Sequence, residues 1–169
     1  MTRTMRGTAD MPLVSILIPC FNAEAWVGDA IRSALGQTYP RKEVLVFDDG
    51  STDGTLEVVR SFGNAVRYEA GTHMGACAAR NRLTEMSHGA WLQYLDADDV
   101  LLPRKIEVQM EVVRRCPCDP VVSPCASPNG LRDGPPHKIP WVDFLRRRIG
   151  CTISNLWRKE AVLAVGGWN

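Results

Sequence analysis

The sequence has no excess of charge of either sign. Twenty Lys and Arg stand against 19 Asp and Glu, a formal net charge of +1 at pH 7. Without a net basic field there is no bulk attraction for nucleic acid, so nucleic acid is not an expected partner. Long apolar runs are also missing. The longest candidate, Leu13 to Ile18, has only strand length, far short of the roughly 20 residues that span a bilayer. The stretch from Met1 to Met11 carries Arg3 and Arg6 but no apolar segment of signal-peptide length. The six cysteines include no Cys-x-x-Cys pair, so free thiols are expected rather than a disulfide framework. Cys116, Cys118 and Cys125 cluster in sequence and could hold a metal, but no fourth ligand is obvious. The expected location is therefore cytoplasmic, with the inner face of the membrane as an option. Arg146, Arg147 and Arg148 read either as a solvated helix face or as a contact for an anionic membrane surface.

What is present is an ordinary globular composition. The chain has 169 residues, 45% of them hydrophobic and 23% charged. That length suits one domain, which would bury roughly 70% of its unfolded surface. Short apolar runs alternate with helical periodicity. Leu13–Ile18, Glu43–Phe47, Val66–Tyr68 and Trp91–Leu95 predict strands. Between them, Val27, Ala30, Ile31, Ala34 and Leu35 fall on one helical face, with Asn22 as a cap candidate. Asp53 can cap a helix carrying Leu56, Val59 and Phe62. A Gly-rich turn from Gly71 to Gly75 leads into a helix through Ala76, Ala79 and Leu83, and Pro103 opens a helix carrying Ile106, Met110 and Val113. This alternation predicts an α/β fold, a mostly parallel sheet with helices on both faces. From Cys116 to Pro140 there are seven prolines, which predicts irregular loop around one short strand near Val121. A short helix near Val142–Arg147, a strand near Thr152–Leu156 and a helix near Lys159–Val165 are expected to follow.

Ligands of open α/β sheets bind beyond the carboxyl ends of the strands. Here those ends carry Pro19-Cys20-Phe21-Asn22, then Asp48-Asp49, then Asp96-Ala97-Asp98-Asp99. Five carboxylates along one edge repel each other unless a cation sits among them. Hard oxygen ligands suit Mg²⁺ or Mn²⁺, which usually share their shell with substrate phosphates. The plainer reading is turn chemistry, since Asp-Gly marks a turn by itself. Acidic turns after more than one strand of the same sheet favour the site.

These segments resemble family 2 inverting glycosyltransferases. Pro19-Cys-Phe-Asn22-Ala-Glu24 is similar to their Pro-x-aromatic-Asn opening, and Asp48-Asp49-Gly-Ser-Thr-Asp-Gly-Thr55 to their second motif. Gly75-Ala-Cys-Ala-Ala-Arg80-Asn81 resembles their Ala-Arg-Asn segment, Leu95-Asp96-Ala-Asp98-Asp99 their DXD-type motif, and Gly166-Gly167-Trp168 a later segment near the acceptor. The resemblance implies a GT-A (Rossmann-like) three-layer sandwich that binds a nucleotide-diphosphate sugar, with a UDP-sugar the commonest donor, and a Mn²⁺ or Mg²⁺ cofactor. It implies Pro19 and Phe21 lining the base pocket, Glu24 near base or ribose, Asp49 on the base edge and Arg80 beside the nucleotide. Asp96 would support the acidic motif, Asp98 would reach ribose and metal, and Asp99 would bind the metal. Transfer would go with inversion to a glycan, lipid-carrier or protein acceptor.

The implied organisation is a flexible leader (1–11), a donor half (12–116), the Pro-rich loop (117–140) and the start of an acceptor half (141–169). The family's catalytic base follows the Gly-Gly-Trp-like segment, so it is expected beyond Asn169. Two other readings compete. One is a nucleotide-sugar-binding domain without catalysis. The other is a haloacid-dehalogenase-like phosphatase, with Asp96 as nucleophile and Asp98 as acid, which leaves Asp48-Asp49 without a role. His73 could touch the diphosphate or simply face solvent in its loop.

Overall fold

The structure, a computed structural model, describes residues 11–115, 121–122, 125–127, 130–132, 137–138 and 152–169. Its centre is β1 (Val14–Cys20), in which every residue is buried. β2 (Lys42–Asp48) and β4 (Trp91–Tyr94) flank it in parallel, and β3 (Arg67–Ala70) pairs in parallel with β2. β9 (Asn155–Arg158) runs antiparallel to β4. β5 (Val121–Val122) and then β8 (His137–Lys138) complete a seven-stranded sheet of order β3-β2-β1-β4-β9-β5-β8.

The two-residue alternation of strands sends side chains to two cores. Val14, Ile16, Ile18 and Cys20 face a cluster that includes Val27, Ala30 and Ile31 of α1 (Val27–Leu35), Val59 of α2 (Thr55–Ser61) and Ile106 of α4 (Lys105–Arg115). Leu17, Leu45, Leu92 and Tyr94 face a second cluster. It is closed by Ala79 and Leu83 of α3 (Ala76–Met86) and by Val162 of α5 (Lys159–Ala164). The layers are thus helix, sheet, helix.

Several boundaries differ from the sequence reading. Asn22 does not cap α1. It sits at φ +48°, a turn places Trp26 N–H on the Ala23 carbonyl at 3.0 Å, and the helix begins only at Val27. Asp53 lies one residue ahead of the α2 cap position, which Gly54 occupies. Pro103 precedes α4 by two residues. The Pro-rich stretch contributes four short strands rather than one, β5, β6 (Cys125–Ser127), β7 (Gly130–Arg132) and β8. Proline ends a ladder because it cannot donate, so segments between prolines pair only briefly. Met11 packs against the first core cluster. The helix expected near Val142–Arg147 and residues 1–10 of the leader expected at 1–11 lie outside the described residues.

The amino ends of the strands carry a structural polar knot. Glu43 Oε1 accepts from the Ser15 hydroxyl and from His88 N–H at 2.7 Å, and the Ser15 oxygen accepts from Gly89 N–H at 2.8 Å. Arg67 lies 3.7 Å from the other carboxylate oxygen. Burial alone would raise the Glu43 carboxyl. The Ser15 and His88 hydrogen bonds and the Arg67 and His88 charges together hold it below its ordinary 4.5. A depressed folded value means stability present above about pH 4.5 and lost as pH falls through the folded value. Glu43→Gln is therefore expected to cost about 1–2 kcal/mol at pH 7. Urea melts across pH should show the gap to the parent closing below about pH 4.5.

Candidate functional site

The carboxyl ends of β1, β2 and β4 meet on one edge, as their parallel registers require. The loops after β1 and β2 are stitched together. Asn22 N–H donates to Ser51 Oγ at 2.9 Å, Thr52 N–H to Asn22 Oδ1 at 2.8 Å, and Ala23 N–H to Thr55 Oγ1 at 2.7 Å. Glu24 Oε2 accepts from Gly54 N–H at 3.0 Å. Ser51 in turn donates to Asp48. The polar run after Asp49 therefore builds the loop frame. Asp53 shares in this, and the Thr55 hydroxyl is the main reason its carboxyl sits below the usual range.

Asp49 is buried, at 3% exposure, with its carboxylate fully engaged. Oδ1 accepts from Met74 N–H at 2.9 Å and Oδ2 from Gly75 N–H at 2.8 Å. His73 Nδ1 lies 2.9 Å from Oδ2. Asp49 thus pins the loop that follows β3 over the carboxyl end of β2. Gly50 permits the close approach: its φ is +79°, and a Cβ there would meet His73 N at 2.8 Å. The His73 ring stacks on Phe21, with centroids 4.0 Å apart and planes at 27°. Phe21 is 44% exposed, an aromatic face at the rim of the edge. Pro19 is buried within β1 beside it. The Cys20 thiol is pushed up to about 12, first by burial and then by Asp48, so it stays protonated and is no nucleophile.

Asp96, Asp98 and Asp99 form the turn after β4, closed by Asp99 N–H on the Asp96 carbonyl at 3.0 Å. Asp96 pairs with Arg80 of α3 at 2.6 Å. Asp98 is exposed and Asp99 half-buried. The Asp99 carboxyl is raised by burial first, then by the Asp98 and Asp96 charges. Arg80 is spent on Asp96, and among the described residues no basic side chain pairs with Asp98 or Asp99. Among the described residues no three His, Cys, Asp or Glu side chains converge on one point. Carboxylate oxygens such as those of Asp98 and Asp99 are hard donors of the kind that a divalent ion takes.

The structure therefore gathers Pro19, Phe21, Glu24, Asp49, Arg80, Asp96, Asp98 and Asp99 on the edge that the sequence assigns to a ligand. It also adds partners the sequence left in the background. His73 joins Phe21 to Asp49, and Trp168 lies under Arg80 at 4.9 Å. Neither contact follows a sequence spacing, because each links segments brought together only by the sheet.

The model of the glycosyl transferase family 2 domain matches residues 15–165. The chain belongs to this family. It is 34% identical over 113 residues to a putative teichuronic acid biosynthesis glycosyltransferase, TuaG, of Bacillus subtilis, across 63% of this chain and 44% of that protein. Residues 1–349 of TarS of S. aureus, solved in complex with UDP, superpose with a TM-score of 0.72 at 18% identity over 92% of this chain and 49% of that one. The mannosyltransferase PcManGT of Pyrobaculum calidifontis, solved with GDP-Man and Mn²⁺, superposes with a TM-score of 0.69 at 20% identity, over 94% of this chain and 48% of that one. The chain thus spans about half of each of these matched chains. The expected GT-A arrangement is borne out. Among the described residues no helix is long and apolar enough to cross a membrane.

Proposed function

We propose that this domain binds a nucleoside-diphosphate sugar along the carboxyl edge of its sheet and transfers the sugar, with inversion, to an acceptor hydroxyl. The observation that carries the reading is the acidic pair Asp98–Asp99, which has no ion-pair partner among the described residues and is set on the same edge as the Phe21 face and the Asp49-pinned loop. Phe21 and Pro19 offer an apolar wall to the base, and Asp49 holds the backbone against which the base edge lies. Glu24 bounds the base or ribose side. Arg80 orients Asp96 at the nucleotide. Asp98 reaches toward the ribose and, with Asp99, holds Mn²⁺ or Mg²⁺. Such an ion supplies neutralisation of the charge that develops on the departing diphosphate. The chain's own contribution is to bind and orient the donor, so that an acceptor can attack an oxocarbenium-like sugar carbon. A UDP-sugar is the donor assigned here, since TarS was solved with UDP. The GDP-Man in PcManGT makes a guanosine donor the alternative. The acceptor class is a growing glycan or glycoconjugate, supported by the likeness to TuaG, whose name assigns it to teichuronic acid biosynthesis. Lipid-carrier and protein acceptors, presented at a membrane face, are the alternatives.

Calorimetric titration with UDP, GDP, dTDP and CDP, each with and without Mn²⁺, tests the donor site. One diphosphate is expected to bind with a Kd of about 1–100 μM in Mn²⁺ and at least about tenfold more weakly without it. A folded sample that binds none of the four contradicts the reading. Binding without sugar turnover across an acceptor panel reassigns the domain to nucleotide-sugar binding alone.

A further inference from the structure

The Gly166–Trp168 turn, read from sequence as acceptor-side, is anchored to the donor side. Asn81 of α3 grips it in both directions. Trp168 N–H donates to Asn81 Oδ1 at 2.8 Å, and Asn81 Nδ2 donates to the Trp168 carbonyl at 2.9 Å. Gly167 has φ +81°, and a Cβ there would meet Asn81 Oδ1 at 2.5 Å, so the close approach requires glycine. The grip fixes the indole on two neighbours. Tyr94 of β4 meets it edge-on, with centroids 5.0 Å apart and planes at 80°. Arg80, one residue before Asn81, lays its guanidinium over the ring at 4.9 Å.

Arg80 is 14% exposed and donates through Nη2 to Asp96 Oδ1 at 2.6 Å. Its Nε is buried without a hydrogen-bond partner among the described residues. A guanidinium with one carboxylate partner keeps rotational freedom about that bond. An aromatic face beneath it removes that freedom and adds a cation–π attraction. Asp96 in turn opens the Asp98–Asp99 turn.

We propose that Trp168 is a positioning residue of the donor site. Its π face holds Arg80 in its pairing with Asp96, and through that pairing it sets the affinity of the acidic turn for a metal-bound nucleoside diphosphate. This rests on the donor site proposed above.

The test is a double-mutant cycle read by calorimetry in Mn²⁺, using the diphosphate that binds the parent best. Trp168→Leu keeps apolar bulk without a π face and is expected to weaken binding about tenfold. Trp168→Phe is expected to stay within about threefold of the parent. In an Arg80→Gln background, Trp168→Leu is expected to cost nothing further. A fluorinated tryptophan at position 168 keeps the shape and depletes the π face, so it carries the same test should the leucine variant fail to fold. It should weaken binding with Arg80 present and not in Arg80→Gln. Equal binding by the parent and Trp168→Leu overturns the proposal. So does equal loss in the Phe and Leu variants, or a Leu penalty that persists in full without Arg80. A parent that binds no diphosphate fails earlier, at the donor-site reading, and the proposal falls with it.

Discussion

Asp99→Asn is expected to abolish metal-dependent nucleotide binding while slightly stabilising the ligand-free protein. The two effects have one cause. The Asp99 carboxyl is raised by burial and by the Asp98 and Asp96 charges, so its ionised form is disfavoured where it sits. The neutral amide of the same shape relieves that repulsion. The relief is on the order of 0.5 kcal/mol, since the turn is partly solvated, which for a domain of this size is about 1–2 °C in Tm. The same change removes a hard anionic ligand from a divalent ion. A loss of about 100-fold or more in affinity for the Mn²⁺–diphosphate complex is expected, ~2.7 kcal/mol. Stability and binding moving in opposite directions mark a functional carboxylate. A variant that melts lower and binds as the parent does would make Asp99 a structural turn residue.

Asp49→Asn is expected to lower both quantities together. Its two oxygens serve Met74 N–H, Gly75 N–H and His73. Asparagine keeps one carbonyl oxygen and turns an NH₂ group toward a donor, so one backbone N–H is left buried and opposed. Bonds to charged acceptors contribute about 1.5–3 kcal/mol each, and a stability loss of about 2 kcal/mol is expected. The loop from Gly71 to Gly75 should open more often, read as about 10- to 100-fold faster amide exchange at Met74 and Gly75. Nucleotide affinity should fall with it, because the loop carries His73 across Phe21. Unchanged exchange at both amides would show that the loop is held by something other than Asp49.

The strands were legible because each is a short apolar run bounded by turn residues, and β1 and β2 appear within two residues of their expected ends. The acidic turns were legible because a parallel sheet puts successive carboxyl ends on one edge. Local caps were less so. Asn22 has the side chain of a cap, yet its oxygen is taken by Thr52, about thirty residues away. Glu24 likewise serves Gly54. Their partners lie on a loop that reaches them only after β1 and β2 pair, and no local pattern encodes that. The contacts of His73 and Trp168 were hidden for the same reason. Their neighbours, Phe21 and Arg80, come from other strands and helices. The Pro-rich segment read as loop because proline breaks ladders, and its strands are correspondingly two or three residues long.

Paramagnetic broadening by Mn²⁺ tests the central claim most directly, and a chain of 18.7 kDa suits amide-resolved NMR. Trace Mn²⁺ added with the best-binding nucleoside diphosphate is expected to broaden the amides of Asp96, Asp98 and Asp99 most. Weaker effects are expected at Asp49 and the Met74–Gly75 amides, with none at the Ser15–Glu43–His88 knot on the opposite end of the sheet. The effect should be weaker without nucleotide and lost in Asp99→Asn. Broadening centred on other surface carboxylates, or indifferent to nucleotide, would contradict a metal–diphosphate site on the carboxyl edge.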